Sequence, residues 1–145
     1  MKIAIGSDHR GYRLKERFKE YFAKEGIEYK DFGCDSEERV DYPDYAIPTA
    51  RSVSEGKYDR GVLICGSGIG MSIAANRFDG VRGTLCTSVR MAELSRKHND
   101  SNFLCVGAGN QSEDEAMEIL KVWLNTEFEG GRHKERLDKI EKIRT

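Results

Sequence analysis

A cysteine ends the apolar run Val62-Leu63-Ile64-Cys65, and Gly66-Ser67-Gly68-Ile69-Gly70 follows at once. Successive glycines let backbone N–H groups converge on an anion, and a helix start adds partial positive charge. The same spacing also makes a plain tight turn packed on a sheet, so both readings stand at this point. A thiol beside such a loop can be a nucleophile, a metal ligand, a general base or an inert core group. Cys86 and Cys105 lie inside apolar runs and read as inert. Cys65 differs, because backbone N–H groups and a helix start favour its thiolate. No His or Cys lies at ligand spacing from it, which argues against a metal site.

Other polar residues cluster at segment ends. His9 follows Asp8, which is placed to orient it, and His98-Asn99-Asp100 follows a basic stretch. His98 there could merely favour a helix dipole. His133 sits in a charged segment and reads as bland. Arg132 and Arg136 are four apart, so they share one helix face and can clamp a phosphate. On the helix alone a solvated face is the better reading, with Glu135–Lys139 and Asp138–Lys142 as ordinary pairs.

Known glycine-loop designs do not fit. A dinucleotide fingerprint needs its third glycine one residue later than Gly70 and an acidic residue about 20 positions on. A P-loop needs Gly-Lys-Ser/Thr, which is missing. A thiol phosphatase of the low-molecular-weight type places Arg where Met71 stands. A receiver domain places Asp where Cys65 stands. Each rejection leaves a cysteine beside an anion-binding loop.

The elements that must hold these residues alternate. Strands are predicted at Lys2–Gly6, Ile27–Phe32, Gly61–Cys65, Val81–Cys86 and Asn102–Val106. Helices are predicted from Arg10 to Lys24, up to about Ser54, around Met71–Asn76, over Ser88–Lys97, over Asp114–Leu124 and from Arg132 to Arg144. Pro48 would lie early in the second helix and blurs its start. Alternation of this kind implies an α/β fold with a five-stranded parallel sheet covered on both faces. Ligands of such sheets bind outside the carboxyl ends of the strands. Strands one, three and five exit into Ser7-Asp8-His9, the glycine loop and Gly107-Ala108-Gly109-Asn110.

The 145 residues fit one domain, 1–145. Charged residues reach 34%, against a usual share of about 25%, yet 24 basic and 25 acidic residues leave a net charge of -1. A global field for nucleic acid or anionic lipid is therefore excluded, whereas a local cationic pocket is not. No apolar run approaches the roughly 18 residues of a membrane span, and the first residues enter a strand without a signal peptide. Four widely spaced cysteines read as free thiols of a cytoplasmic protein.

Taken together, Ser7-Asp8-His9, Asp41-Tyr42-Pro43, Cys65-Gly66-Ser67-Gly68-Ile69-Gly70, Ala74-Ala75-Asn76, His98-Asn99-Asp100 and Gly130-Gly131-Arg132-His133 with Arg136 resemble ribose-5-phosphate isomerase type B. That family includes galactose-6-phosphate and allose-6-phosphate isomerases. The resemblance runs from the first strand to the terminal helix.

It implies a Rossmann-like three-layer αβα sandwich, no metal and no cofactor. The partners implied are a phosphorylated sugar and a second copy of the chain, as a homodimer or a tetramer of dimers. The activity implied is interconversion of D-ribose 5-phosphate and D-ribulose 5-phosphate, a step of the pentose phosphate pathway. Aldose–ketose isomerisation through an enediolate needs a base, oxyanion donors and a phosphate anchor. By resemblance, Cys65 is the base. The amides of Gly66, Ser67, Gly68, Ile69 and Gly70, with the Ser67 hydroxyl, hold the enediolate oxygens. His98 opens the furanose, Asn99 holds sugar hydroxyls, and Asp8 binds a hydroxyl. His9, Arg132 and Arg136 bind phosphate, and Tyr42 lines the pocket. The sites lie at a subunit interface, with His98 and Asn99 coming from the partner chain.

Two positions separate branches of the family. Members without the strand-three Cys use a Glu six residues later, where this chain has Met71. Many members carry a phosphate-binding Arg shortly after strand five, where this chain has Gly109. A six-carbon sugar phosphate isomerase and a noncatalytic phosphosugar-binding module are the rival readings.

Overall fold

The computed structural model describes residues 1–144. Strand and helix alternate as β1 (Lys2–Ser7), α1 (Tyr12–Lys24), β2 (Glu28–Asp31), α2 (Pro43–Ser54), β3 (Arg60–Cys65) and α3 (Ile69–Ala75). The chain continues through β4 (Gly83–Leu85), α4 (Val89–Asn99), β5 (Phe103–Gly107), α5 (Glu113–Asn125) and α6 (Arg132–Glu141). A 3-10 turn covers Lys142–Arg144.

All strand pairs are parallel, in the order β2-β1-β3-β5-β4. The chain moves outward from β1 to β2 and then returns to the other side of β1. The order therefore reverses between β1 and β3, which is the switch point where open α/β sheets bind ligands. Ser7 pairs with Ile64, and Cys65 pairs with Gly107, so the ends of β1, β3 and β5 meet at one edge.

Period-two alternation sorts the strand residues onto two faces. Ile3, Ile5, Val62, Ile64, Leu104 and Val106 pack against Leu14, Phe18 and Phe22 of α1 and Ile119, Leu120 and Trp123 of α5. Ala4, Leu63, Cys65, Phe103 and Cys105 face α2 and α3, meeting Ala46, Ala50, Met71 and Ala75. Burial of each large apolar side chain contributes about 1.5–3 kcal/mol. Together these contacts form a three-layer Rossmann-like sandwich, as expected. No helix among the described residues is long and apolar enough to cross a membrane.

The element boundaries differ from expectation where local bonding intervenes. The helix after the glycine loop starts at Ile69 rather than Met71, because Gly68 at φ +77° turns the chain into it. Strand four shrinks from Val81–Cys86 to Gly83–Leu85. Val81 is buried against the α2 and α3 face, and the Arg82 N–H donates to Asn102 Oδ1 at 2.8 Å instead of to a strand. α2 begins at Pro43 and carries Pro48 in its interior. A proline there removes one helical bond, and burial of Ala46, Thr49, Ala50 and Val53 holds the helix around it. The terminal α-helix ends at Glu141, short of Arg144.

Candidate active site

Cys65 is the last residue of β3, and its side chain is almost fully buried. The Gly68 N–H donates to Cys65 Sγ at 3.1 Å. A backbone donor in that position stabilises negative charge on sulfur. Burial raises the Cys86 and Cys105 thiols above the usual cysteine range. Neither can serve as an anionic base, in agreement with their reading as core groups.

The loop after Cys65 is latched to the exit of β5. Ala108 N–H donates to Cys65 O at 2.8 Å, Gly109 N–H to Gly66 O at 2.9 Å, and Asn110 Nδ2 to Ser67 O at 2.8 Å. Ser67 Oγ accepts from Ile69 N–H at 3.2 Å and so braces the helix start. Two of the glycines leave room for a neighbour. A Cβ at Gly70 would fall 2.5 Å from the Tyr42 ring, and one at Gly66 would fall 2.4 Å from an Arg10 guanidinium nitrogen. Asp8, Arg10, Tyr42, Cys65, Gly66, Ser67, Ile69, Gly70 and Ile73 line a crevice of about 450 Å³.

Asp8 is buried, and its Oδ1 accepts from Arg10 N–H at 2.9 Å and Gly11 N–H at 3.1 Å. It therefore fixes the turn out of β1. His9 Nδ1 accepts the Val40 N–H at 3.2 Å, so a neutral ring carries its proton on Nε2.

His98, Asn99, Arg132 and Arg136 do not line this crevice. His98 and Asn99 end α4, and Arg132 and Arg136 are exposed on α6. No ion pair or hydrogen bond holds the Arg132 or Arg136 side chain among the described residues. Arg96 secures the end of α4 through bonds to Thr126 O at 3.0 Å, Asp100 Oδ1 at 2.9 Å and Ser101 O at 2.6 Å. The His98 ring stacks on His133, with centroids 4.3 Å and planes 13° apart. Both Nε2 atoms lie 3.6 Å from Glu129 Oε1. Nearly parallel rings cannot aim both lone pairs at one metal ion, so the trio does not suit metal ligation. Burial, then the neighbouring His98 and Arg132, pushes His133 below the usual histidine range.

The chain thus carries the candidate residues in two separate groups, one at the crevice and one at the ends of α4 and α6. A model of the ribose/galactose isomerase family matches residues 3–140. The chain belongs to this family. Within the ribose/galactose isomerases, it is 44% identical over 142 residues to ribose-5-phosphate isomerase B of Escherichia coli, covering 98% of this chain and 95% of that protein. The Clostridium thermocellum ribose-5-phosphate isomerase B structure superposes with a TM-score of 0.96 at 48% identity, covering 99% of this chain and 97% of that one. The Mycoplasma genitalium ribose-5-phosphate isomerase B, solved with bound ribulose-5-phosphate, gives 0.95 at 36% identity, with 99% and 95% covered. By family the protein is an aldose–ketose isomerase.

Sequence reasoning missed Arg10, Ile73, Glu129 and His133 as neighbours of candidate groups. Arg10 directly follows His9, so its position at a strand exit was a usable signal. The stack of His98 on His133 joins helices far apart in sequence and left no local signal.

Gly107 offers a test of the latch. A Cβ there would lie 2.4 Å from the Ser67 backbone carbon, so the loop must move. Gly107→Ala is expected to lower stability by about 1–3 kcal/mol through overpacking. It should lower isomerase kcat/KM by about 100-fold through misplacement of the loop. Urea unfolding and steady-state kinetics would check both, and unchanged kinetics would show that loop position is not critical.

Proposed function

We propose that the protein interconverts D-ribose 5-phosphate and D-ribulose 5-phosphate through an enediolate, with Cys65 as the base. The thiolate removes the C2 proton of the open aldose and returns a proton to C1, while the hydroxyl proton passes from O2 to O1. The observation that carries this reading is a thiol in a crevice, 3.1 Å from the Gly68 N–H and beside a loop of further backbone donors. Preorganised donors of this kind contribute roughly 3–4 kcal/mol each in other enzymes. The Ser67 hydroxyl and the loop amides of Gly66, Ser67 and Gly70 receive the enediolate oxygens, while those of Gly68 and Ile69 hold the thiol and the Ser67 hydroxyl in place, and Asp8 and Tyr42 bound the sugar.

The second group of residues comes from another copy of the chain. Ile69 and Ile73 are 54% and 55% exposed at the crevice rim, an apolar surface that a partner would cover. In the resulting dimer, His98 of one copy opens the furanose bound beside Cys65 of the other. Asn99 contributes sugar contacts, and Arg132 and Arg136 join His9 around the phosphate. Relatives named ribose-5-phosphate isomerase B support the five-carbon substrate and a place in the pentose phosphate pathway. The four buried free cysteines suit a reducing compartment such as the cytoplasm.

A coupled assay comparing ribose 5-phosphate, allose 6-phosphate and galactose 6-phosphate tests the substrate. The expected result is the highest kcat/KM for ribose 5-phosphate, with solvent deuterium entering the product in D2O. Faster turnover of a six-carbon sugar would overturn the substrate. Tight binding with no exchange would overturn the catalytic reading.

A further inference from the structure

The crevice contains a cation that the candidate site set does not include. Arg10 leaves β1 two residues after Asp8, and its guanidinium lies over Gly66. Three guanidinium atoms fall within 2.9 Å of the place a Gly66 Cβ would occupy. The group therefore fills the space vacated by that glycine. It reaches on toward Gly109: Arg10 Nη2 is 3.7 Å from where a Gly109 Cβ would stand. A side chain at 109 would thus start at van der Waals contact from Arg10, beside Gly66, whose carbonyl accepts the Gly109 N–H at 2.9 Å.

No carboxylate pairs with the Arg10 side chain among the described residues. The nearest in sequence, Asp8, spends its Oδ1 on the backbone N–H groups of Arg10 and Gly11. An unpaired guanidinium held against backbone at a crevice rim has its donor fork free for an anion.

We propose that Arg10 is the phosphate-binding arginine of this crevice, reaching from the turn after β1 across Gly66 toward Gly109. This rests on the isomerase reading above only for the identity of the phosphate ester. A guanidinium fork grips two phosphate oxygens at once and is well suited to a dianion. Gly66 is its structural counterpart, since a side chain there would displace the guanidinium.

Arg10→Ala, Arg10→Lys and Arg10→Ala with Gly109→Arg test the assignment. Two readouts are used: KM and kcat for ribose 5-phosphate, and binding of inorganic phosphate by calorimetry. Arg10→Ala is expected to raise KM and to weaken inorganic phosphate by about 30-fold each, with kcat within about threefold. Lysine should recover part of the loss, and the double variant should recover at least about tenfold of it by returning a guanidinium to the same space. A fall in kcat at unchanged KM would assign Arg10 to the enediolate and overturn the phosphate role. KM and phosphate affinity within about twofold of wild type would overturn it as well. If wild type fails to isomerise ribose 5-phosphate while its phosphate binding still depends on Arg10, the substrate falls and the Arg10 assignment stands.

Discussion

Cys65→Ala is expected to fold, bind inorganic phosphate and lose about 10³- to 10⁴-fold in kcat, with deuterium exchange lost in parallel. The upper range applies because the thiol makes and breaks the only C–H bonds of the proposed reaction, and positioned general bases contribute about 10²–10⁴-fold. Structure argues against a folding artefact. The side chain is small, and removing one buried sulfur costs on the order of 1 kcal/mol. The strand around it is held by pairing with β1 and β5. Cys65→Ser is the sharper companion. It preserves volume and the Gly68 N–H contact but replaces the thiol with a hydroxyl that ionises far less readily, so activity should stay low. Cys105→Ala is the contrast, because burial holds that thiol neutral and away from the crevice. Near-normal turnover by Cys65→Ala would mean that another group carries the proton. Met71, six residues further on, is a fully buried thioether and cannot take over.

The readable parts of this molecule were those set by local pattern. Val62 to Cys65 is an unbroken apolar run, so a buried strand follows from composition, and a glycine loop after it fixes the direction of the thiol. Leu14, Phe18 and Phe22 recur at helical spacing and indeed cover one sheet face. Strand four was overread because Val81 and Arg82 continue the pattern of Gly83 to Leu85, while their bonds go elsewhere. Asp8 was legible as a polar residue at a strand exit, although its contact with two backbone N–H groups was not. Arg10 and His133 were missed because each acts on a residue far along the chain. The reach of Arg10 over Gly66 and the ring stack of His133 on His98 depend on how separate helices and strands are placed. No periodicity within one segment records such a meeting.

The largest stability effect is expected at Asp31, away from the crevice. Lys15 is fully buried on α1, and its ammonium donates to Asp31 Oδ2 at 2.6 Å at the end of β2. Lys19 reaches the same oxygen at 2.8 Å, and Gly33 N–H donates to Asp31 Oδ1 at 2.8 Å. Glu16, 3.5 Å from the Lys15 ammonium, is a poor substitute. Asp31→Ala strands a buried charge, and breaking such a pair from one side costs about 3–5 kcal/mol. For a domain of this length the melting temperature should fall by about 10 °C. Burial works against the Asp31 charge, but Lys15, Lys19 and the Gly33 amide outweigh it and hold the carboxyl below its ordinary range. The folded state therefore binds this proton more weakly than the unfolded chain. Its contribution is present above the ordinary carboxylate range and is lost as pH falls through the depressed folded value. Wild type should accordingly lose stability on acidification toward and below about pH 4, and Asp31→Ala should lose less over that window. Lys15→Met removes the buried charge and leaves Asp31 paired with Lys19 and the Gly33 amide, so it should be near neutral in stability, and adding Asp31→Ala to it should cost less than in wild type. Equal cost in both backgrounds would show that Asp31 acts through the Gly33 turn rather than through the buried ammonium.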